Sequence, residues 1–507
     1  MKTILSKWLI ASLVYVLAAN AVWAKAPPDQ AAKLGGELTF AGAEAKGNAD
    51  GSITEWIGKT AFPESLIKIT HAGLEEQRKN LDPKSRELLK EAEAAKDAAG
   101  LIAIIPKIVA VMPANIRESV DVKIPGMTKS PVEAQVVITK DNLAEHESKL
   151  TEGHKAMFKT YPNTYKMVVF PSVRNAFFPD EVNKATVANA ANATLTGTDQ
   201  VSGAKLGFPF PIPQSGAEAL WNHKMKYRGS AVRRFNNQAI VKPDGTFKIS
   251  KLVEDVKFKY ANLKEPPPAD NKLLLTYLQR VMEPPRVAGQ ITLVHETAGS
   301  IEGGGRSAWL YNPGLGRVNR APDVGYDGPQ IGSDGEQFFD QVDVFNGALD
   351  RFDWKLVGKK ELYIPYNSWI INAPSLKYGD LIRPGHINPV LARYELHRVW
   401  VVEATVRQGI RHKFAKRVFY IDEDSWSIAV VDCYDARGQM WKVQEAHLLT
   451  IPFIPTVSGI PELIYDLQSK RYFTTTMTNE DPYSNWEINW EDAYFTQSNI
   501  AKLSRTK

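Results

Sequence analysis

Four aspartates, Asp340, Asp343, Asp350 and Asp353, fall close together in the chain. Paired carboxylates can act as general acid and base, or can hold a metal ion. A hydrolase built on these acids is therefore one candidate function. Phe345, Phe352 and Trp354 interleave with them, a texture that instead suits strand or turn residues with solvated acids. Other chemistry finds little support. Gly58-Lys59-Thr60 ends like a phosphate loop, but the required first glycine falls on Ile53. His295-Glu296 lacks the second histidine of a zinc-protease helix, because position 299 is Gly. Setting Gly51 at the sixth position of a calcium loop puts Lys46 and Ile57 where carboxylates belong, so Asn48 to Ile53 reads as a tight Asp-Gly turn. His386, His397, His412 and His447 show no ligand spacing. The single cysteine, Cys433, excludes an intramolecular disulfide and Cys-rich metal centres, and its run Val430 to Tyr434 reads as a strand with a buried thiol. No catalytic residue, metal or cofactor is assigned.

The residues left to explain are aromatic: 12 Trp, 18 Tyr and 20 Phe. Many sit in alternating runs. From Arg393 to Val406 one face carries Tyr394, Leu396, Arg398, Trp400, Val402 and Ala404. From Trp426 to Tyr434 one face carries Trp426, Ile428, Val430, Asp432 and Tyr434. Period-two alternation marks a sheet that must cover one face, either with its own core or with an apolar ligand. Trp309, Tyr311, Trp354, Tyr363, Trp400, Val402, Tyr420, Trp426, Val430 and Tyr434 are the candidate lining residues. Aromatic rings suit a pocket for varied apolar shapes because they are large and stiff.

These residues need a scaffold. Helices are expected over 74–98 and over 141–159, the second ending at Tyr161-Pro162. A proline-rich knot follows from Gly207 to Pro213. Strands are expected over 289–296, 307–311, 393–406, 413–421, 426–434 and 441–449. Turns fall at Glu423-Asp424-Ser425 and Ala436-Arg437-Gly438. The texture is antiparallel sheet rather than alternating strand and helix. Lys plus Arg is 62 against 57 acids, too balanced for a nucleic-acid binder. At the N-terminus, Lys2 and Lys7, the apolar stretch Trp8 to Ala19 and the Val22-Trp23-Ala24 site compose an export signal cleaved after Ala24. The apolar run Ala99 to Pro113 is interrupted by Pro106 and Lys107, so no membrane-spanning segment is expected after cleavage.

Longer segments carry a resemblance. Leu38 to Glu44 followed by Gly47 to Gly58 resembles the N-terminal signature of a family of exported Gram-negative proteins of unknown function, with Phe40 where that signature usually has proline. Trp309 to Gly314 with Arg317 to Pro322, and Phe345-Asn346-Gly347 with Asp350 to Asn367, resemble the same family. Arg417 to Asp422 through Asp432 to Asp435 resembles the strand-turn-strand pattern of the lipoprotein-sorting carriers (the LolA/LolB-like fold). The resemblance implies a mainly β α+β protein: a large curved antiparallel half-barrel partly closed by helices. It implies a periplasmic binding or carrier protein for lipids, acyl chains or other hydrophobic molecules, acting with an envelope transporter or outer-membrane protein. A non-catalytic adaptor of an efflux or envelope assembly complex is the alternative. The expected organisation is a signal peptide over 1–24, a signature and helical region over 25–135, the curved sheet over 136–455 and a C-terminal extension over 456–507.

Overall fold

The computed structural model describes residues 25–503, apart from 128, 269–271, 299–305, 322–325 and 331. The expected signal peptide lies outside the described residues. Two strands open the fold, β1 (Val136–Ile138) and β2 (Met167–Phe170), and a small hairpin follows, β3 (Thr194–Thr196) and β4 (Gln200–Ser202). A first meander then runs through β5 (Ala231–Val241), β6 (Phe247–Phe258), β7 (Leu273–Glu283), β8 (Ile291–Thr297), β9 (Arg306–Asn312) and β10 (Arg317–Arg320). A second runs through β11 (Phe352–Pro365), β12 (Tyr394–Val406), β13 (Lys416–Asp422), β14 (Ile428–Tyr434), β15 (Met440–Ile451), β16 (Thr456–Asp466) and β17 (Arg471–Met477).

The two meanders join where β17 pairs antiparallel with β5, Tyr472 opposite Val241 and Phe473 opposite Ile240. With β2 docked parallel on the start of β12 and β1 antiparallel on β2, they make one fifteen-stranded sheet whose path ends at β1 and β10, with β11 paired along β12. The sheet is thus open, curved and antiparallel but for that one pairing, as the sequence texture predicts. Register shifts at Leu356/Gly358, Tyr420/Ile421, Ala446/Leu448 and Thr474/Met477 place bulges along the second meander. Bulges bend a strand and sharpen its twist. Gly358, at φ +129°, supplies the backbone freedom that the β11 bulge requires.

The expected strand positions agree with β8, β9 and β12–β15, and the two expected turns connect β13 to β14 and β14 to β15. The helical segments are more broken than expected. Residues 74–98 divide into α1 (His71–Arg78) and α2 (Lys84–Glu93), separated at Pro83. Proline lacks the amide that a continuing helix would donate. Residues 141–159 yield one turn at Leu143–His146 and then α4 (Glu152–Thr160), capped by Thr151 and ending before Pro162. The apolar run near Ala99 is α3 (Ala98–Ala110), N-capped by Asp97 and packed on α2 through Leu101, Ile104 and Ile108. Among the described residues no helix is long and apolar enough to cross a membrane. α5 (Asp180–Asn192) precedes the β3–β4 hairpin.

The helix α6 (Gly216–Met225) is buried at every position. Its first turn closes with a capping box, the Ser215 hydroxyl accepting from the Glu218 amide and the Glu218 carboxylate accepting from the Ser215 amide. Gly216 rests on Val402 and on the β11 backbone so closely that a Cβ would come within 2.8 Å of the valine methyl. α6 thereby fills the concave side of the second meander, together with residues 336–346. α4 covers the opposite face at Asp432 and Val443. α7 (Gln497–Leu503) covers the outer face of β7–β9, where Phe495 and Ile500 pack on Leu278, Ile291 and Leu293.

The expected boundary at 455 falls in the turn between β15 and β16, which are paired from Lys442 opposite Asp466 to Ile451 opposite Thr456. Residues 456–477 therefore sit in the middle of the sheet. The chain beyond them runs beside β5, with Asn485 bridging Arg233.

Candidate functional site

A cavity of about 370 Å³ lies between one face of β5–β9 and Pro329, Gln330, Phe339, Val342, Asp343 and Asn346. Strand register explains its walls. Val232, Val256, Tyr277, Val294 and Ala308 stand opposite one another in one row across five strands, and all but Ala308 line the cavity. Phe258 and Leu275 extend this apolar wall, and Trp486 reaches it from the chain after β17. One step along the strands the row turns polar: Arg234, Glu254, Gln279 and Thr292. Glu296 and Arg306 make a second polar corner.

The Glu254 carboxylate organises the polar row. It accepts from Arg234 Nε at 2.6 Å, Asn236 Nδ2 at 2.7 Å, the Tyr277 hydroxyl at 2.6 Å and Gln279 Nε2 at 3.2 Å. Burial pushes this carboxyl upward, but Arg234 and the Tyr277 and Asn236 hydrogen bonds outweigh it and hold it below its ordinary value.

The lid side of the cavity is a strap, residues 326–330 and 332–350. Its centre is strained: Asp343 has φ 53° and Val344 has φ 61°. A β-branched residue in the left-handed region needs surrounding structure to hold it there. That structure is visible. His223 Nε2 donates to the Asp343 carbonyl at 2.9 Å, because its Nδ1 accepts from the Ile428 amide. The Glu462 carboxylate accepts from the Val344 amide at 3.2 Å, and Gln444 Nε2 donates to the Val344 carbonyl at 3.2 Å. Arg228 Nη1 lies 2.7 Å from the Asp343 carboxylate, with Lys226 at 4.0 Å. Burial lowers Lys226 to about 7 and drives His223 well below its ordinary value, while Arg228 and Lys226 overcome burial to hold Asp343 low.

The four closely spaced aspartates of the sequence take different partners in the fold. Asp340 is buried against Arg417 and His412. Asp343 pairs with Arg228, Asp350 accepts from the Tyr326 hydroxyl at 2.9 Å, and Asp353 meets Arg407 at the surface. Each has its own partner among the described residues.

None of the ten aromatic and aliphatic candidates lines this cavity. Trp309 and Tyr311 lie on the outer face of β9, beneath α7. Trp354 packs on Phe345 at 5.5 Å and donates to the Leu349 carbonyl. Trp400 stacks on Trp426 at 5.9 Å, and Trp426 donates to the Ala41 carbonyl at 2.7 Å, which locks the signature segment onto the sheet. Tyr363 meets His146 edge-on, Tyr420 donates to Asp432, and Lys416 sits over Tyr434. Val402 and Val430 are fully buried in the main core. The cavity residues of β5–β7 were missed because half of their inward positions are polar. The available signal was the Asp244-Gly245 turn between β5 and β6, where Gly245 has φ +83°.

Among the described residues one trio, His397, Asp422 and Asp424, brings metal-ligand atoms within 4.8 Å of one another. Arg174 occupies both Asp424 oxygens, at 2.9 and 2.7 Å, and Tyr366 and Ser425 donate to Asp422. The trio is built as an ion-paired junction that ties residues 172–175 to the β13–β14 turn.

An open curved sheet with a strapped cavity is the architecture of this chain, and comparison with known proteins supplies its family. The family described as "Protein of unknown function (DUF1329)" matches residues 137–501. The chain belongs to that family. An uncharacterized protein of Pseudomonas aeruginosa, PA3922, is 39% identical over 496 residues, covering 96% of this chain and 97% of that one. Among solved structures, a DUF1329 family protein from Desulfovibrio piger matches with TM-score 0.37 and 15% identity, over 54% of this chain and 92% of that one. A putative outer membrane lipoprotein-sorting protein domain from Vibrio parahaemolyticus matches with TM-score 0.39 and 14% identity, over 56% and 98%. A LolA superfamily protein from Nitrosomonas europaea, NE2245, matches with TM-score 0.34 and 11% identity, over 56% and 98%.

Proposed function

We propose that this protein is a periplasmic carrier that holds a hydrophobic molecule, such as a lipid or acyl chain, in the cavity of β5–β9 and passes it between envelope components. The observation that carries this reading is the row Val232, Val256, Tyr277 and Val294, an apolar floor under a strap rather than under a packed helix. Elsewhere on the concave face α6 and residues 336–346 fill the space. Burying an alkyl chain contributes about 0.8 kcal/mol per methylene, so even a partly filled cavity would hold one firmly. The N-terminal export signal read from the sequence supports the compartment. Of the ten aromatic and aliphatic positions, Tyr363, Val402, Tyr420, Trp426 and Val430 belong to the main core, Trp354, Trp400 and Tyr434 pack against it, and Trp309 and Tyr311 lie beneath α7.

Solvent extraction and mass spectrometry of the purified protein test this, together with titration of a neutral naphthylamine probe that fluoresces in apolar surroundings. A copurifying lipid or saturable probe binding is expected. Absence of both would overturn the reading.

A further inference from the structure

Among the cations that line the cavity, one leaves both terminal nitrogens of a planar guanidinium without a protein acceptor among the described residues. Arg306 donates through Nε to Glu296 and through Nη2 to the Asn346 carbonyl. Arg228 pairs with Asp343 and donates to the His223 carbonyl. Lys226 lies 3.1 Å from His223 Nδ1. Arg234 differs. Its Nε donates to Glu254, and among the described residues neither Nη1 nor Nη2 meets a protein acceptor. Its side chain keeps 30% of its surface accessible and lines the cavity.

The neighbouring residue shows what a satisfied arginine looks like on the same strand. Arg233, on the other face, grips Asp255 with both prongs, Nε to Oδ1 at 2.6 Å and Nη2 to Oδ2 at 2.9 Å. Arg234 cannot do the same with Glu254. One Glu254 oxygen, Oε1, is held by Asn236, Tyr277 and Gln279, which leaves only Oε2 for the arginine. The Glu254 network therefore positions the guanidinium by one bond, on a side chain that lines the cavity. Glu462 of β16 also faces this arginine. Burial and the nearby Asp343 push its carboxyl up, towards the neutral form, against the pull of Arg234.

Resting on the carrier reading above, we propose that the ligand is a single-chain amphiphile with an anionic head, whose oxygens dock on Arg234 while its chain lies along Val232, Val256, Leu275 and Val294. A fork of two N–H groups matches carboxylate and phosphate oxygens alike. Thr292 and Gln279 flank the same end of the cavity with further polar atoms. A volume of about 370 Å³ stands near the lower end of ligand pockets, about 300–1,000 Å³, which suits one chain.

The test is displacement of the neutral naphthylamine probe by dodecanoate, dodecyl phosphate, dodecanol and dodecylamine, on the wild-type chain and on Arg234→Gln and Arg234→Lys. A charge-assisted hydrogen-bond pair predicts that at least one anion binds the wild type about 10- to 100-fold more tightly than dodecanol. The tighter anion distinguishes a free fatty acid from a phosphate-bearing lipid. In Arg234→Gln that preference collapses towards the dodecanol value, with dodecanol itself unchanged, and Arg234→Lys falls between. Dodecanol or dodecylamine binding the wild type as tightly as both anions would overturn the head-group assignment and leave the carrier reading standing. Failure of the probe and all four amphiphiles would overturn the carrier reading itself. The wild-type comparison decides the question even where a variant fails to fold.

Discussion

Arg228 Nη1 sits 2.7 Å from the Asp343 carboxylate and ties the left-handed centre of the strap to the chain between α6 and β5. Asparagine tolerates the same left-handed backbone, so Asp343→Asn isolates the charge. It leaves Arg228 and Lys226 without their carboxylate in a buried setting. Removing one partner of a buried pair costs about 3–5 kcal/mol, and partial exposure of both groups places the expected loss near the lower figure. Urea denaturation measures it. A faster probe dissociation rate in stopped flow is expected alongside, because the strap is the cavity's cover.

Asp340 and Asp353 are near neighbours in sequence with opposite fates. Asp340→Asn strands the fully buried Arg417 guanidinium and should destabilise the fold by about 3–5 kcal/mol. Asp353→Asn removes a surface pairing with Arg407 and should change stability by less than about 0.5 kcal/mol. Equal melting temperatures for the two variants would contradict the burial assigned to Asp340.

Cavity and core respond differently to volume. Val294→Phe adds bulk to the cavity floor and should weaken probe binding at least about tenfold with stability kept within about 1 kcal/mol. Trp426→Ala empties a fully buried site and should cost about 3–5 kcal/mol without altering probe affinity in the folded fraction. Paired calorimetry and probe titration of the two variants separate lining from core.

Glu218 supplies a pH signature. Burial raises its carboxyl from 4.5 to about 7, against the Gln214 and Ser215 amides that hydrogen bond to it. Between those values the native chain keeps a proton that the unfolded chain has released. Its contribution is therefore fully present below about pH 4.5 and is lost as pH rises towards about 7. Glu218→Gln keeps the amide acceptor and removes the titration. Relative to wild type it should gain roughly 2–3 kcal/mol between about pH 5 and about pH 8, read as the pH dependence of the difference in unfolding free energy.

Much of the fold was legible in the chain. Alternation from Arg393 to Val406 and the turns at Asp424 and Gly438 are local signals, and β12 to β15 follow them closely. The family signature segments were equally readable, since a run such as Leu38 to Glu44 needs no partner to be recognised. The halves of a single expected helix at 74–98 were separated by Pro83, a local signal underweighted against a strong run of helix formers.

The candidate site was not legible in the same way, for a physical reason. Period-two alternation defines two faces of a strand but not what covers them. For Trp309, Trp400 and Trp426 the cover is the protein's own chain: α7, the Trp426 ring with Lys359, and the Ala41 carbonyl. For Val232, Val256 and Val294 it is a strap about 50 to 100 residues further along, leaving a cavity beneath. The pairing of β17 with β5, which sets the sheet's order, joins residues more than 200 positions apart. Arg234 became a candidate head-group receptor only once Glu254 stood opposite it in register, with one carboxylate oxygen already held by three other side chains. The sequence by itself determined β8, β9, β12 to β15, the turns between the last three of these, and the family, because each is encoded over a few neighbouring residues. Tertiary structure alone decided which face is core, which is cavity and which charges remain available to a ligand, because those properties depend on contacts between distant segments.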